Sequence, residues 1–224
     1  MTFITLVIPT QWRYNVSLSP HSLYYLIMDV KLSDFIYTAN NTLTPEFCSH
    51  VIKKFDKDDR SHPGYIGNTE TSRIDPSIKD SLDLNISNYP DWKDEDKVFF
   101  DCLSIHLDNF LKFDFYDEVT FPCFDNPVDS GYQIQKTSPN AGYSWHHDDQ
   151  YGQYVVENGS RFATYIWYLN DVKEDGYTEF IDGTKIQPET GKIVIFPASW
   201  PYYHRGFPPK SETKYIVTGW MHSK

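Results

Sequence analysis

Positive charge is in short supply in this chain. Its 20 Lys and Arg stand against 31 Asp and Glu, a formal net charge of −11. Such a balance repels phosphate backbones and argues against a general nucleic-acid binder, leaving room only for a local basic groove. Cysteine is just as sparse. Cys48, Cys102 and Cys123 are an odd number without CxxC or zinc-finger spacing, so they read as reduced, mostly buried thiols of a cytoplasmic protein. No run reaches the ~18 apolar residues of a membrane span. Repeats and low-complexity tracts are absent, and the apolar start, Met1 to Thr10, has neither a basic n-region nor a clear cleavage site for a signal peptide.

Aromatic residues, by contrast, are abundant. With 17 Tyr, 15 Phe and 6 Trp, and 40% hydrophobic residues overall, the chain can build a large core rich in strands and ligand pockets. Its 224 residues favour one large domain. Residues 1–27 are expected to be an N-terminal extension, and 28–224 a single domain. Within it the spacing predicts a helical part at about 44–125 and a jelly-roll core at about 130–222.

Val30 to Tyr37 reads as a strand. Thr44 and Pro45 start a helix as cap and first residue, with Phe47, Val51, Ile52 and Phe55 on its apolar face. Residues 56–90 read as loops with a short helix around Ile78 to Leu84. A longer helix, about Asp94 to Lys112, is expected to place Val98, Phe99, Cys102, Leu103, His106, Leu107 and Phe110 on its buried side. From Tyr132 to Trp220 the pattern changes to short alternating runs broken by turn residues, among them YQIQKT, RFATYIWYL, KIVIFP and KYIVTGW. The fold class expected is α+β, with N-terminal supporting helices and a jelly roll, or double-stranded β-helix.

Eight histidines among 31 acids yield about one His-x-Asp/Glu by chance, so the bare motif says little. It occurs three times, at His106/Asp108, His146/Asp148 and His147/Asp149. Geometry removes the first. On a helix, residues two apart point about 200° away from each other and cannot share an ion. On a strand, residues i and i+2 share a face, and GYSWHHDDQ reads as a strand running into a loop. That alternation allows either remaining pair. His204, after KIVIFPASWPYY, can fold back as a third ligand, and two imidazoles with one carboxylate form a facial triad suited to iron(II). In KYIVTGW, Lys214, Ile216, Thr218 and Trp220 share one face, and a lysine heading an apolar face needs an anion.

From Tyr132 to Trp220 the chain resembles the prolyl 4-hydroxylase-like family of 2-oxoglutarate- and iron(II)-dependent oxygenases. The residues that carry the likeness are Tyr143-Ser144-Trp145-His146-His147-Asp148, RFATYIWYLNDV, Asp175-Gly176 to Phe180, Gly191 to Pro197, His204, and Lys214 ten residues on. The resemblance selects His146, Asp148 and His204 as metal ligands and catalytic centre, with His147 facing away. It implies Lys214 as the partner of the distal carboxylate of 2-oxoglutarate, with Tyr143, Thr218 and Trp220 lining the co-substrate pocket. Iron(II), 2-oxoglutarate and O2 are the implied cofactors, with ascorbate as reductant. The implied activity is C–H hydroxylation of a peptide or protein. A free amino acid or small molecule is the alternative substrate, and a non-catalytic jelly-roll metal-binding module the alternative of another class. Two departures stand out. The strand before the iron motif lacks the tyrosine found in many relatives, leaving Thr137, Gln135 and Tyr143 as candidates for a second polar contact, and Asp175-Gly176 replaces Gly-Gly.

Overall fold

A computed structural model describes residues 31–67, 72–111, 127–149 and 159–223. The chain divides into Met1–Lys31 and Leu32–Lys224, and the second unit holds every element named here. The expected N-terminal extension, residues 1–27, therefore lies outside the described residues.

Helix α1 (Pro45–Phe55) begins as its sequence requires. The Thr44 side chain accepts a hydrogen bond from the Phe47 N–H, and Pro45 occupies the first turn, where no N–H is needed. Its buried residues are Cys48, Val51 and Phe55, while Phe47 and Ile52 are partly buried against the same core. Helix α2 (Lys93–Leu111) buries Phe99, Leu103, Leu107 and Phe110 along one stripe. Val98, expected on the buried side, is exposed instead.

The strands fall into two main sheets. Numbered along the chain, the first five are β1 (Tyr37–Ala39), β2 (His62–Pro63), β3 (Tyr65–Ile66), β4 (Arg73–Ile74) and β5 (Leu82–Asn85). Then come β6 (Val128–Asp129), β7 (Gln133–Thr137), β8 (Tyr143–His146), β9 (Ser160–Tyr168) and β10 (Thr178–Phe180). The last four are β11 (Lys185–Ile186), β12 (Lys192–Pro197), β13 (His204–Gly206) and β14 (Lys214–Ser223). The major sheet runs β1-β12-β9-β14-β7-β5-β2, with β6 also on β14, and the minor sheet runs β11-β10-β13-β8. All pairs are antiparallel.

Alternation along the strands sorts side chains between two cores. Tyr165, Trp167, Ile193, Ile195 and Val217 join α1 and α2 in the larger cluster. Their neighbours Ile166, Tyr168, Val194 and Phe196 face the other way and meet Phe180 and Tyr202 of the minor-sheet side. The two sheets thus close on each other as a jelly roll, with the helices stacked outside the major sheet.

Two further local expectations are corrected. Leu32–Phe35 is a 3-10 helix and only Tyr37–Ala39 is a strand. The tighter turn brings Leu32 and Phe35, three apart, to one side, where both pack on the inter-sheet core. The short helix expected at Ile78 to Leu84 is extended instead: Lys79 bridges Tyr143 and β5 pairs with β7. Sheet partners on both sides satisfy its backbone, which overrides local propensity. The stretch between the helices is accordingly a supplier of sheet strands as well as loops.

Candidate metal centre

The end of β8 and the start of β13 are laid side by side, so that His146 and His204 are direct partners in the ladder. Their rings lie 4.2 Å apart, centroid to centroid. Asp148 follows two residues later, its backbone N–H bonded to Ala198 O at 3.2 Å. This returns its carboxylate to the imidazoles, with Oδ1 3.6 Å from His146 Nε2 and Oδ2 3.7 Å from His204 Nε2. One ligand atom from each of the three residues lies within 4.8 Å of the others, and no other cluster of this kind occurs among the described residues.

The donor set fits a divalent ion. His146 Nδ1 is 2.8 Å from Ser144 O and His204 Nδ1 is 3.0 Å from Tyr202 O. A carbonyl only accepts, so each Nδ1 carries the proton and each Nε2 offers a lone pair to the cluster. Burial, with His204 adding to it, pushes the His146 imidazole down to about 3, against the opposing pull of Asp148. Burial alone would raise Asp148, but His204, His146 and the Thr164 hydroxyl outweigh it and hold the carboxyl below its usual range. At neutral pH His146 is therefore neutral and Asp148 ionised, as ligation requires. Thr164 Oγ1 donates to Asp148 Oδ2 at 2.7 Å and fixes the carboxylate plane. Phe196 and Phe180 pack against the His204 ring.

Lys214 opens β14 and reaches into the same cavity. It is 4% exposed, and its Nζ donates to Gly176 O at 2.9 Å. No carboxylate pairs with it among the described residues, and burial lowers its ammonium to about 8. Ile216, Thr218 and Trp220, the expected face of that strand, line the cavity too. Thr218 spends its hydroxyl proton on Tyr165 O at 2.9 Å, so it can only accept from a ligand. The Trp220 indole N–H is buried without a partner among the described residues, and the Arg161 guanidinium lies 3.8 Å over its ring.

Tyr143 stacks on His146 at 3.6 Å with the planes 17° apart, which gives it a supporting part beside its place in the cavity wall. His147 faces away, against Tyr203 at 5.1 Å. His106 lies on α2 and bonds Tyr37 Oη through Nδ1 at 2.8 Å, while His50 pairs with Glu95. Of the β9 residues, Tyr165 and Trp167 belong to the helix-side core, and Thr164 and Ile166 line the cavity.

Sequence reading missed Lys79 and Ser81, which also line it. The alternation of Lys79, Ser81 and Asp83 was the available signal, concealed by assigning a helix there.

Comparison with known proteins agrees with this geometry. Residues 132–222 match the 2OG-Fe(II) oxygenase superfamily. A putative prolyl 4-hydroxylase of Acanthamoeba polyphaga mimivirus is 32% identical over 116 residues, 45% of this chain and 47% of the relative. The chain thus spans about half the length of that curated relative. Among solved structures, a viral collagen prolyl hydroxylase from Paramecium Bursaria Chlorella virus-1, solved as its 2OG complex, has a TM-score of 0.55 at 19% identity. That match covers 85% of this chain and 97% of the viral one. A Trichoplax adhaerens prolyl hydroxylase, in complex with a hypoxia inducible factor oxygen degradation domain peptide fragment, has a TM-score of 0.64 at 14% identity. Here 85% of this chain and 84% of the other are covered. At these identities the structures establish the jelly-roll fold. The matched segment contains the His146–Asp148–His204 cluster and Lys214, and over these residues the chain is similar to the 2OG-Fe(II) oxygenase superfamily.

Proposed function

We propose that the domain is an iron(II)- and 2-oxoglutarate-dependent dioxygenase that hydroxylates a C–H bond, with a peptidyl proline as the substrate class. The observation that carries this reading is one cavity holding both the convergent His146, Asp148 and His204 and the buried Lys214 without a carboxylate partner. His146, Asp148 and His204 would hold iron(II), leaving positions for co-substrate and oxygen. Lys214 would pair with the distal carboxylate of 2-oxoglutarate. Bound there, the metal supplies oxygen activation coupled to the decarboxylation of 2-oxoglutarate to succinate and carbon dioxide, with one oxygen atom delivered to the substrate.

The protein's own part is placement. Ser144 O and Tyr202 O keep both Nδ1 protons away from the metal side, and Thr164 fixes the Asp148 carboxylate. Ile166 and Ile216 give the cavity an apolar wall, which strengthens the pairing of Lys214 with an anion. The peptide substrate is supported by the name of the mimivirus relative and by the peptide complex of the Trichoplax enzyme. A neighbouring groove, lined by Tyr65, Ile66, Arg73, Arg161 and Trp220, opens beside the triad and suits an extended chain. The thiols of Cys48 and Cys102, the former raised by burial to about 11, suit a reducing compartment, and we place the protein in the cytoplasm with ascorbate as reductant.

The deciding experiment incubates the protein with iron(II), ascorbate and 2-oxoglutarate, with and without a library of proline-containing peptides. Succinate release and peptides one oxygen heavier are expected. Folded, iron-loaded protein that makes no succinate under either condition would sink the oxygenase reading.

A further inference from the structure

The cavity that holds Lys214 contains a second buried lysine. Lys79 is 6% exposed and lines the wall beside Tyr143 and His146. It arrives on a segment outside the metal motif. Ser144 N–H donates to Ile78 O at 2.8 Å and Asp80 N–H to Gly142 O at 2.9 Å, which attaches this segment to β8. The chain then crosses to the major sheet, where β5 pairs with β7.

Lys79, Ser81 and Asp83 fall at alternate positions of this crossing. Lys79 Nζ donates to Asp83 Oδ2 at 2.6 Å, and Ser81 Oγ donates to Asp83 Oδ1 at 2.8 Å. Gly64 backs the group so closely that an added Cβ would stand 2.5 Å from Ser81 Oγ and 2.9 Å from Lys79 Cε. Asp83 itself is 1% exposed.

Burying such a pair costs desolvation that its own attraction need not repay, so it is a poor device for stability alone. An ammonium has three N–H donors. Among the described residues Asp83 accepts one of them. Its ammonium also lies 5.4 Å from the centroid of the Tyr143 ring, the ring that stacks on His146. This contact puts Lys79 on the metal side of the cavity, whereas Lys214 is tied to Gly176 O. The polar groups of β7 are less suited to that position. Gln135 gives its amide to Gln133 Oε1 at 2.6 Å, and Thr137 sits opposite Lys214 in the ladder.

Resting on the reading that this cavity takes 2-oxoglutarate, we propose that Lys79, positioned by Asp83, is a second cation for the co-substrate and binds its oxoacid carboxylate. A ligand charged at both ends meets a cation at both ends. Lys79 is then a co-substrate-binding residue and Asp83 a positioning residue.

The test is calorimetric titration of 2-oxoglutarate into Mn(II)-loaded wild type and K79M, alongside the Mn(II) affinity of each. K79M should weaken 2-oxoglutarate about ten- to a hundredfold, the range for a lost charged hydrogen bond, with Mn(II) affinity held within about twofold. K79R should recover part of the loss. Because K79M strands a buried Asp83, the neutral pair K79Q/D83N serves as the second variant and should show the same loss. Unchanged 2-oxoglutarate affinity in either folded variant overturns the proposal, as does a loss that merely follows weaker Mn(II) binding. Wild type that binds Mn(II) but not 2-oxoglutarate overturns the co-substrate reading, and the role of Lys79 with it, and is plainly a different result.

Discussion

At the scale of single residues, hydrogen bonds orient all three members of the triad. Both histidines have their Nδ1 protons on backbone carbonyls, and Thr164 holds the Asp148 carboxylate. His146→Ala removes one of three ligands and should abolish stoichiometric iron binding. His106→Ala should leave it unchanged, since that imidazole is held on α2 by Tyr37; iron content after gel filtration distinguishes them. Lys214 makes a prediction with a pH dependence. Burial lowers its ammonium to about 8, so protonation is complete below that value and is lost above it. Only the charged form pairs with an anion, so the affinity of Mn(II)-loaded protein for 2-oxoglutarate should fall as pH rises through about 8. In Lys214→Met, affinity should be weaker by about tenfold or more at pH 7, and that slope should disappear. A pH-independent affinity in the wild type would count against the assigned pairing.

At the scale of elements, strand alternation explains how one sheet serves two cores. Trp167 faces the helices and packs against Phe99, Tyr132 and Tyr165 at 5.4 to 6.3 Å between ring centroids. Its sequence neighbours Ile166 and Tyr168 face the inter-sheet side. Trp167→Ala should therefore cost about 3–5 kcal/mol in urea unfolding, while the iron ligands keep their geometry. The same alternation made Lys214, Ile216, Thr218 and Trp220 legible as one face from KYIVTGW alone. It was not legible at Lys79 to Asp83, where a polar, turn-rich stretch read as loops with a short helix. What makes that stretch extended is hydrogen bonding to β7 and β8, which lie some fifty to sixty residues further along the chain. Local spacing carries no record of such partners.

At the scale of the whole molecule, the triad draws its members from segments far apart in the chain, which a bound ion would tie together. An ion bound by His146, Asp148 and His204 links β8 to β13 and holds only in the folded state. Mn(II) at a hundred times its Kd should therefore raise the unfolding free energy by about 2.7 kcal/mol, a gain reversed by chelator and absent in His146→Ala. A melting temperature insensitive to metal would remove the coupling.

The amino-acid sequence by itself determined the α1 cap at Thr44 and Pro45, the strand faces, and the reach of His146 and Asp148 toward one side, because caps and periodicities act over a few residues. Which histidine of the adjacent pair turns inward came from the likeness of the surrounding motif, and the ladder between β8 and β13 realises it. Only the tertiary structure decided that Lys79 and Ser81 line the cavity, that Thr164 supports Asp148, and that Tyr165 and Trp167 belong to the helix side. Each of these depends on which strand lies beside which, and that is settled by pairing between residues distant in sequence.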